Sequence, residues 1–209
     1  MKEKLLEIYS QSFKDNWELP ALTNYITKKT ITYGEFAKSI ARYHILFKEC
    51  GIKQGDKIAI LGKNTPEWIQ IFFATITYGA VIVPVLNDFN PQDAQHIVNH
   101  SDSVLLFVSQ YIWESIEYDK LPKVKAVFSL DNNELLAEHE ESNDMVLNAV
   151  RNLSSVFNAK YRNGFSREDI KYPDVDSNAL AVINYTSGTT GFSKGVMLSY
   201  NNLNRKTRK

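Results

Sequence analysis

The residues best equipped for chemistry form one run: Asn184-Tyr185-Thr186-Ser187-Gly188-Thr189-Thr190-Gly191-Phe192-Ser193-Lys194-Gly195. Small residues let the backbone turn tightly and leave its N–H groups accessible. Successive exposed N–H groups form a nest that attracts anions. Threonine and serine hydroxyls add donors, and Lys194 adds a mobile positive charge. The guest that suits all of these is a polyphosphate. A polar surface turn uses the same residue types, so composition alone does not decide between the two. The order of the residues is more selective. Gly195, rather than Ser or Thr, follows Lys194, which separates the run from the Walker A loop. It contains no G-x-G-x-x-G, which separates it from the dinucleotide fingerprint.

Such a loop needs rigid flanks. The apolar stretch Ala179 to Ile183 reads as a strand leading in, and Val196-Met197-Leu198 as a strand leading out. Upstream, helical spacing predicts a short amphipathic helix within Lys2 to Phe13. A strand is predicted around Leu22 to Ile26, with a turn at Lys28-Lys29 and a return at Thr30 to Thr32. Thr32-Tyr33-Gly34-Glu35 is a capping box opening a helix that stops at Gly51. Thr65 and Pro66 are the N-cap and first residue of another, closed by Gly79.

Ile58 to Leu61, Ala80 to Leu86, Val104 to Val108 and Val124 to Leu130 are short apolar runs of the kind buried on both faces. Helices are expected at Pro91 to Asn99 and Tyr111 to Tyr118, and a further helix start at Ser199 to Asn204, with Ser199 as N-cap. This alternation predicts an α/β layered domain with a mainly parallel sheet flanked by helices; the binary pattern does not supply the strand order. The segment 131–178 differs. It opens acidic, is polar, and predicts one helix at about Met145–Phe157 between loops, with the acidic residues on a solvated face.

Composition sets outer bounds. Of 209 residues, 44% are hydrophobic and 23% charged, values that allow a real core. Acidic and basic residues balance at 24 each, so net charge gives no reason to expect a nucleic-acid partner. The single cysteine, Cys50, rules out a disulfide framework within the chain and reads as a buried structural thiol. The four histidines show no metal-site spacing, and no metal ligand is assigned. Trp68, Phe72, Phe73 and Tyr78 read as core filler. The N-terminus lacks an apolar signal core, and the expected location is the cytoplasm.

The run Tyr185 to Gly195 resembles the phosphate-binding signature of the adenylate-forming superfamily, Tyr-Thr-Ser-Gly-Thr-Thr-Gly-x-Pro-Lys-Gly, with Ser193 where proline is usual. That superfamily includes acyl-CoA synthetases, luciferases and peptide-synthetase adenylation domains. The likeness extends upstream. Thr32 to Phe36, Gly51 to Ile60, Asn64 to Trp68 and Gly79 to Val85 resemble further family segments in matching order. The tail Gly195 to Leu203 leans toward long-chain fatty acyl-CoA synthetases.

The resemblance implies two half-reactions. A carboxylate attacks the α-phosphate of ATP, giving acyl-adenylate and pyrophosphate; the thiol of coenzyme A then displaces AMP. By match to the motif, Thr186, Ser187, Gly188, Thr189, Thr190, Gly191 and Lys194 bind the β- and γ-phosphates, and Lys194 neutralises developing charge. Tyr185 is expected to pack rather than to react. Ser193 for proline loosens the approach to Lys194 without removing a binding group.

In the family the Mg2+-binding glutamate, the ribose-gripping aspartate, the hinge and the C-terminal domain with its catalytic lysine follow this loop. The expectation is therefore an incomplete N-terminal AMP-binding (adenylation) subdomain over residues 1–209, with 131–178 a connecting segment within it, inactive alone. Its expected partners are ATP and pyrophosphate, a carboxylic acid (a long-chain fatty acid on the subfamily lean), coenzyme A and the C-terminal portion of the same enzyme, with peripheral membrane contact allowed. A non-catalytic nucleotide- or phosphate-binding module remains the alternative reading.

Overall fold

The computed structural model describes residues 4–186 and 194–207. The chain begins with α1 (Leu5–Asp15) and a two-stranded antiparallel hairpin, β1 (Pro20–Thr23) with β2 (Thr30–Thr32). The first hairpin strand is shorter than the predicted Leu22 to Ile26. Asn24 Oδ1 accepts the amides of Ile26 and Thr27, both at 2.9 Å, and this side-chain turn ends the strand at Thr23.

The capping box forms as the sequence predicts. The Glu35 amide donates to Thr32 Oγ1 at 3.1 Å and the Thr32 amide to Glu35 Oε2 at 2.8 Å, opening α2 (Tyr33–Glu49). In α3 (Pro66–Tyr78) the Trp68 amide donates to Thr65 Oγ1 at 3.2 Å. Gly79 closes α3 at φ 89°, a left-handed conformation that a side chain would strain.

Five strands then stack in parallel. These are β3 (Lys57–Leu61), β4 (Val81–Val85), β5 (Ser103–Val108), β6 (Ala126–Ser129) and β8 (Leu180–Thr186). Antiparallel strands β7 (Leu135–Glu138) and β9 (Lys194–Ser199) close the two edges. The sheet order is β7-β6-β5-β3-β4-β8-β9.

Strand alternation sends side chains to two apolar layers. Ile58, Ile60, Ile82, Leu105, Phe107 and Phe128 face one layer, with α1, α2, α3 and α6 (Asn143–Lys160). Ala59, Leu61, Val83, Leu106 and Val108 face the other, with α4 (Pro91–His100) and α5 (Gln110–Trp113). The near-continuous apolar strands of the sequence are thus buried on both faces. Trp68, Phe72, Phe73 and Tyr78 pack partly buried against the first layer. A last helix, α7 (Tyr200–Thr207), follows β9, with the Asn202 amide donating to Ser199 Oγ at 3.3 Å.

Two further elements depart from the sequence reading. The helix predicted over Tyr111 to Tyr118 stops at Trp113. There Ser115 and Ile116 donate to carbonyls three residues back, a tightening that ends α-helical winding. Segment 131–178 carries not only a helix but also strand β7. Asn133 adopts φ 63° and the Ser129 amide bonds to the Glu134 carbonyl, folding the chain back along β6. Four half-buried residues, Leu135 to Glu138, are too few to show an alternating pattern beside the acidic run.

Two titratable groups, one buried and one partly buried, are shifted by this packing. Cys50 is fully buried, and burial pushes its thiol pKa up to about 12. His44 sits between α2 and α3 with Nε2 3.1 Å from the Ala74 carbonyl and 3.0 Å from Thr77 Oγ1. Burial, ahead of the opposing Ala74 hydrogen bond and the charge of Lys160, pulls its pKa down to about 4. Since the folded value lies below the unfolded 6.5, the unfolded chain binds the extra proton. The contribution is therefore intact above pH 6.5 and is lost as pH falls toward 4. Urea titrations of the wild type should lose about 2–3 kcal/mol more over that window than those of His44→Gln. Parallel pH profiles would contradict this.

Candidate active site: the hairpin at the end of the sheet

β8 runs parallel to β4 and ends beside the C-terminal ends of the parallel strands, where open α/β sheets bind ligands. It then pairs antiparallel with β9. The register is Ile183 with Met197, Asn184 with Val196, Tyr185 with Gly195, and Thr186 with Lys194. An irregularity between Leu180 and Val182 sets which face each later residue takes. Beyond it, Ile183 and Tyr185 are buried in the second apolar layer, while Asn184 and Thr186 are exposed.

Thr186 and Lys194 therefore stand directly opposite each other, both exposed, at the mouth of the hairpin. The Lys194 side chain makes no ion pair with any described residue, so its charge is available to an incoming anion. Ser187, Gly188, Thr189, Thr190 and Gly191 lie outside the described residues, as do Phe192 and Ser193. What the structure does place is the pair of strand ends from which that segment springs.

The base of the hairpin is closely packed. A Cβ added at Gly195 would lie 3.0 Å from Ile183 Cγ2 and 3.2 Å from Tyr185 Cζ. Glycine at this position is thus a matter of room, because the strand rests on both the Ile183 side chain and the Tyr185 ring. Tyr185 itself is 3% exposed, and its hydroxyl is 2.7 Å from His100 Nδ1 at the end of α4. The two rings meet edge to face at 5.8 Å and 87°. Burial, reinforced by the Asp102 carboxylate, pushes the Tyr185 pKa up, so the phenol keeps its proton at neutral pH. Tyr185 packs as the sequence suggests. The link to His100, 85 residues away, leaves no trace in the sequence motif.

Among the described residues no three His, Cys, Asp or Glu side chains gather in a metal-binding group. Likewise no described helix is long and apolar enough to cross a membrane.

Comparison with known proteins bears on the family and the fold. The chain is 30% identical over 187 residues to a luciferin 4-monooxygenase of Photuris pensylvanica, covering 88% of this chain and 32% of that protein. It is 23% identical over 212 residues to a long-chain-fatty-acid–CoA ligase of Escherichia coli, covering 96% of this chain and 37% of the other. In fold it resembles a long-chain-fatty-acid–CoA ligase from Archaeoglobus fulgidus with a TM-score of 0.74 at 20% identity, over all of this chain and 38% of that one. The chain thus spans about a third of the length of the relatives it matches. The family of AMP-binding enzymes matches residues 11–209, which include the whole hairpin, and the chain belongs to that family.

Proposed function

We propose that this chain supplies the phosphate grip of an ATP-dependent carboxylate–CoA ligase. The observation that carries the reading is the hairpin mouth: an exposed hydroxyl and an exposed ammonium face each other across paired strands, at the end of the sheet where ligands bind. The intervening Ser187-Gly188-Thr189-Thr190-Gly191 brings further hydroxyls and small residues to the same place.

The chemistry asks for what these residues offer. A carboxylate oxygen bonds to the α-phosphorus of ATP, the bond from that phosphorus to the bridging oxygen breaks, and pyrophosphate leaves with the negative charge. Catalysis of such a step rests on positioning and on neutralising that charge. Lys194 and the hydroxyls of Thr186, Ser187, Thr189 and Thr190 meet the β- and γ-phosphates; Gly188 and Gly191 admit them to the backbone. In the second step a thiol, that of coenzyme A, attacks the acyl carbonyl and AMP departs. The groups that hold Mg2+, ribose and coenzyme A belong to segments other than these residues.

A long-chain fatty acid is the preferred acyl substrate, supported by the likeness to the Escherichia coli ligase and by the Gly195 to Leu203 tail. The hairpin residues bind the phosphates of ATP and do not by themselves complete the reaction.

Calorimetric titration tests the grip. ATP and inorganic pyrophosphate should each bind the chain and compete with one another, while adenosine should not displace pyrophosphate. Absence of binding by both at millimolar concentration would overturn the proposal.

A further inference from the structure

We propose that His100 and Tyr185 form a positioning pair that sets the height of Lys194 at the hairpin mouth, an inference that rests on the phosphate-grip reading and extends it. The physical chain is continuous. α4 is fixed in the second apolar layer by Ala94, Ile97 and Val98. His100 ends that helix and holds the Tyr185 hydroxyl at 2.7 Å. The Tyr185 ring, pinned at its far end, shares with Ile183 the floor beneath Gly195, where even one added carbon would meet Ile183 Cγ2 at 3.0 Å and the ring at 3.2 Å. Gly195 is bonded to Lys194, and Thr186 follows Tyr185 on the opposite strand.

A tyrosine ring can occupy more than one rotamer, and each would support β9 at a different height. The bond to His100 selects one. A ring held only by apolar neighbours would fill the same space without fixing its tip. His100 is itself exposed, so it contributes little burial to the core. Its contact with Tyr185 transmits the position of α4 to the strand carrying Lys194. The distance between Thr186 and Lys194 is what a polyphosphate would sense.

Binding of inorganic pyrophosphate to the wild type, Tyr185→Phe, His100→Ala and the double variant tests the pair. Phenylalanine keeps the ring under Gly195 and removes only the tether. Each single variant should weaken binding about 3- to 10-fold, the loss expected for one hydrogen bond acting on the site. The double variant should be no weaker than either single one. His100→Asn, which returns a polar atom near the Nδ1 position, should restore most of the affinity.

Variants that lower the melting temperature without changing affinity, or additive losses in the double variant, would overturn the proposal. Amide hydrogen exchange probes the same link without a ligand. Gly195 and Val196 should exchange faster in both single variants, and unchanged rates would refute the pair. A wild type that fails to bind pyrophosphate, yet shows this exchange coupling, would overturn the phosphate grip and leave the mechanical link standing.

Discussion

Lys194→Ala should weaken ATP and pyrophosphate binding by about 10- to 150-fold. A hydrogen bond to a charged partner contributes about 1.5–3 kcal/mol, and each 1.4 kcal/mol is a factor of ten. The structure gives two reasons to expect the upper part of that range. Lys194 makes no ion pair with another described residue, so binding a phosphate breaks none. It is also the first residue of a strand in register with Thr186, so its main chain is already positioned. Lys194→Arg keeps the charge but replaces a compact ammonium with a planar fork, and should recover only part of the affinity. Calorimetry on the three proteins checks this. Because the side chain is exposed, the melting temperature of Lys194→Ala should stay near that of the wild type. Equal affinities for wild type and Lys194→Ala would remove the lysine from the site.

The second large effect is on stability and lies in the layer beneath the sheet. Phe107 is fully buried on β5, a parallel strand flanked by β6 and β3. It stacks on Phe128 at 5.3 Å and meets the Tyr43 and Phe47 rings edge on at 6.0 and 6.2 Å. The ring therefore joins two strands to α2. Phe107→Ala should cost about 3–5 kcal/mol, the transfer of the ring plus the cavity it leaves. For a chain of this size, that lowers the melting temperature by roughly 6–20 °C. Against a total stability of about 5–15 kcal/mol, such a loss approaches unfolding. Tyr25→Ala is the matched control. Its ring is 85% exposed at the tip of the β1–β2 hairpin, and its removal should change stability by less than about 0.5 kcal/mol. Similar losses in the two variants would contradict a core built as two apolar layers.

Much of the fold is legible because its signals are local. Thr32 and Glu35 are three residues apart, and their reciprocal bonds need nothing else. Thr65 with Pro66, and Gly79, mark the two ends of α3 in the same way. Ile58 to Leu61 announces a strand covered on both faces by having no polar member. Strand order is different in kind. Whether β5 lies beside β3 or beyond β4 depends on crossovers whose lengths alone do not choose a side. β7 is illegible because four half-buried residues carry no period, and because its turn depends on Asn133 in a left-handed conformation.

The site divides similarly. The residue types from Tyr185 to Gly195 suit an anion, and the match to the family motif names the phosphates; the structure adds that Thr186 and Lys194 are paired across the hairpin. The sequence offers no reason for glycine at position 195 beyond the motif; the Ile183 side chain and the Tyr185 ring below it are the reason. His100 belongs to a helix whose sequence shows only a packing role, and its bond to Tyr185 arises from how α4 lies across β8, a tertiary fact. Residues 187–191, the heart of the motif, lie outside the described residues, so their roles rest on the family pattern and on the strand ends that present them.

If this hairpin grips the leaving pyrophosphate of an adenylation reaction, exchange of labelled pyrophosphate into ATP measures that step directly. The protein expressed to the natural stop of its gene should catalyse exchange only when a carboxylic acid is present. Among acids of graded length, long-chain fatty acids should serve best, and Lys194→Ala should abolish the signal. ATP binding without exchange for any acid would instead make the protein a non-catalytic nucleotide-binding module. Release of ADP and phosphate, independent of any acid, would contradict adenylation altogether.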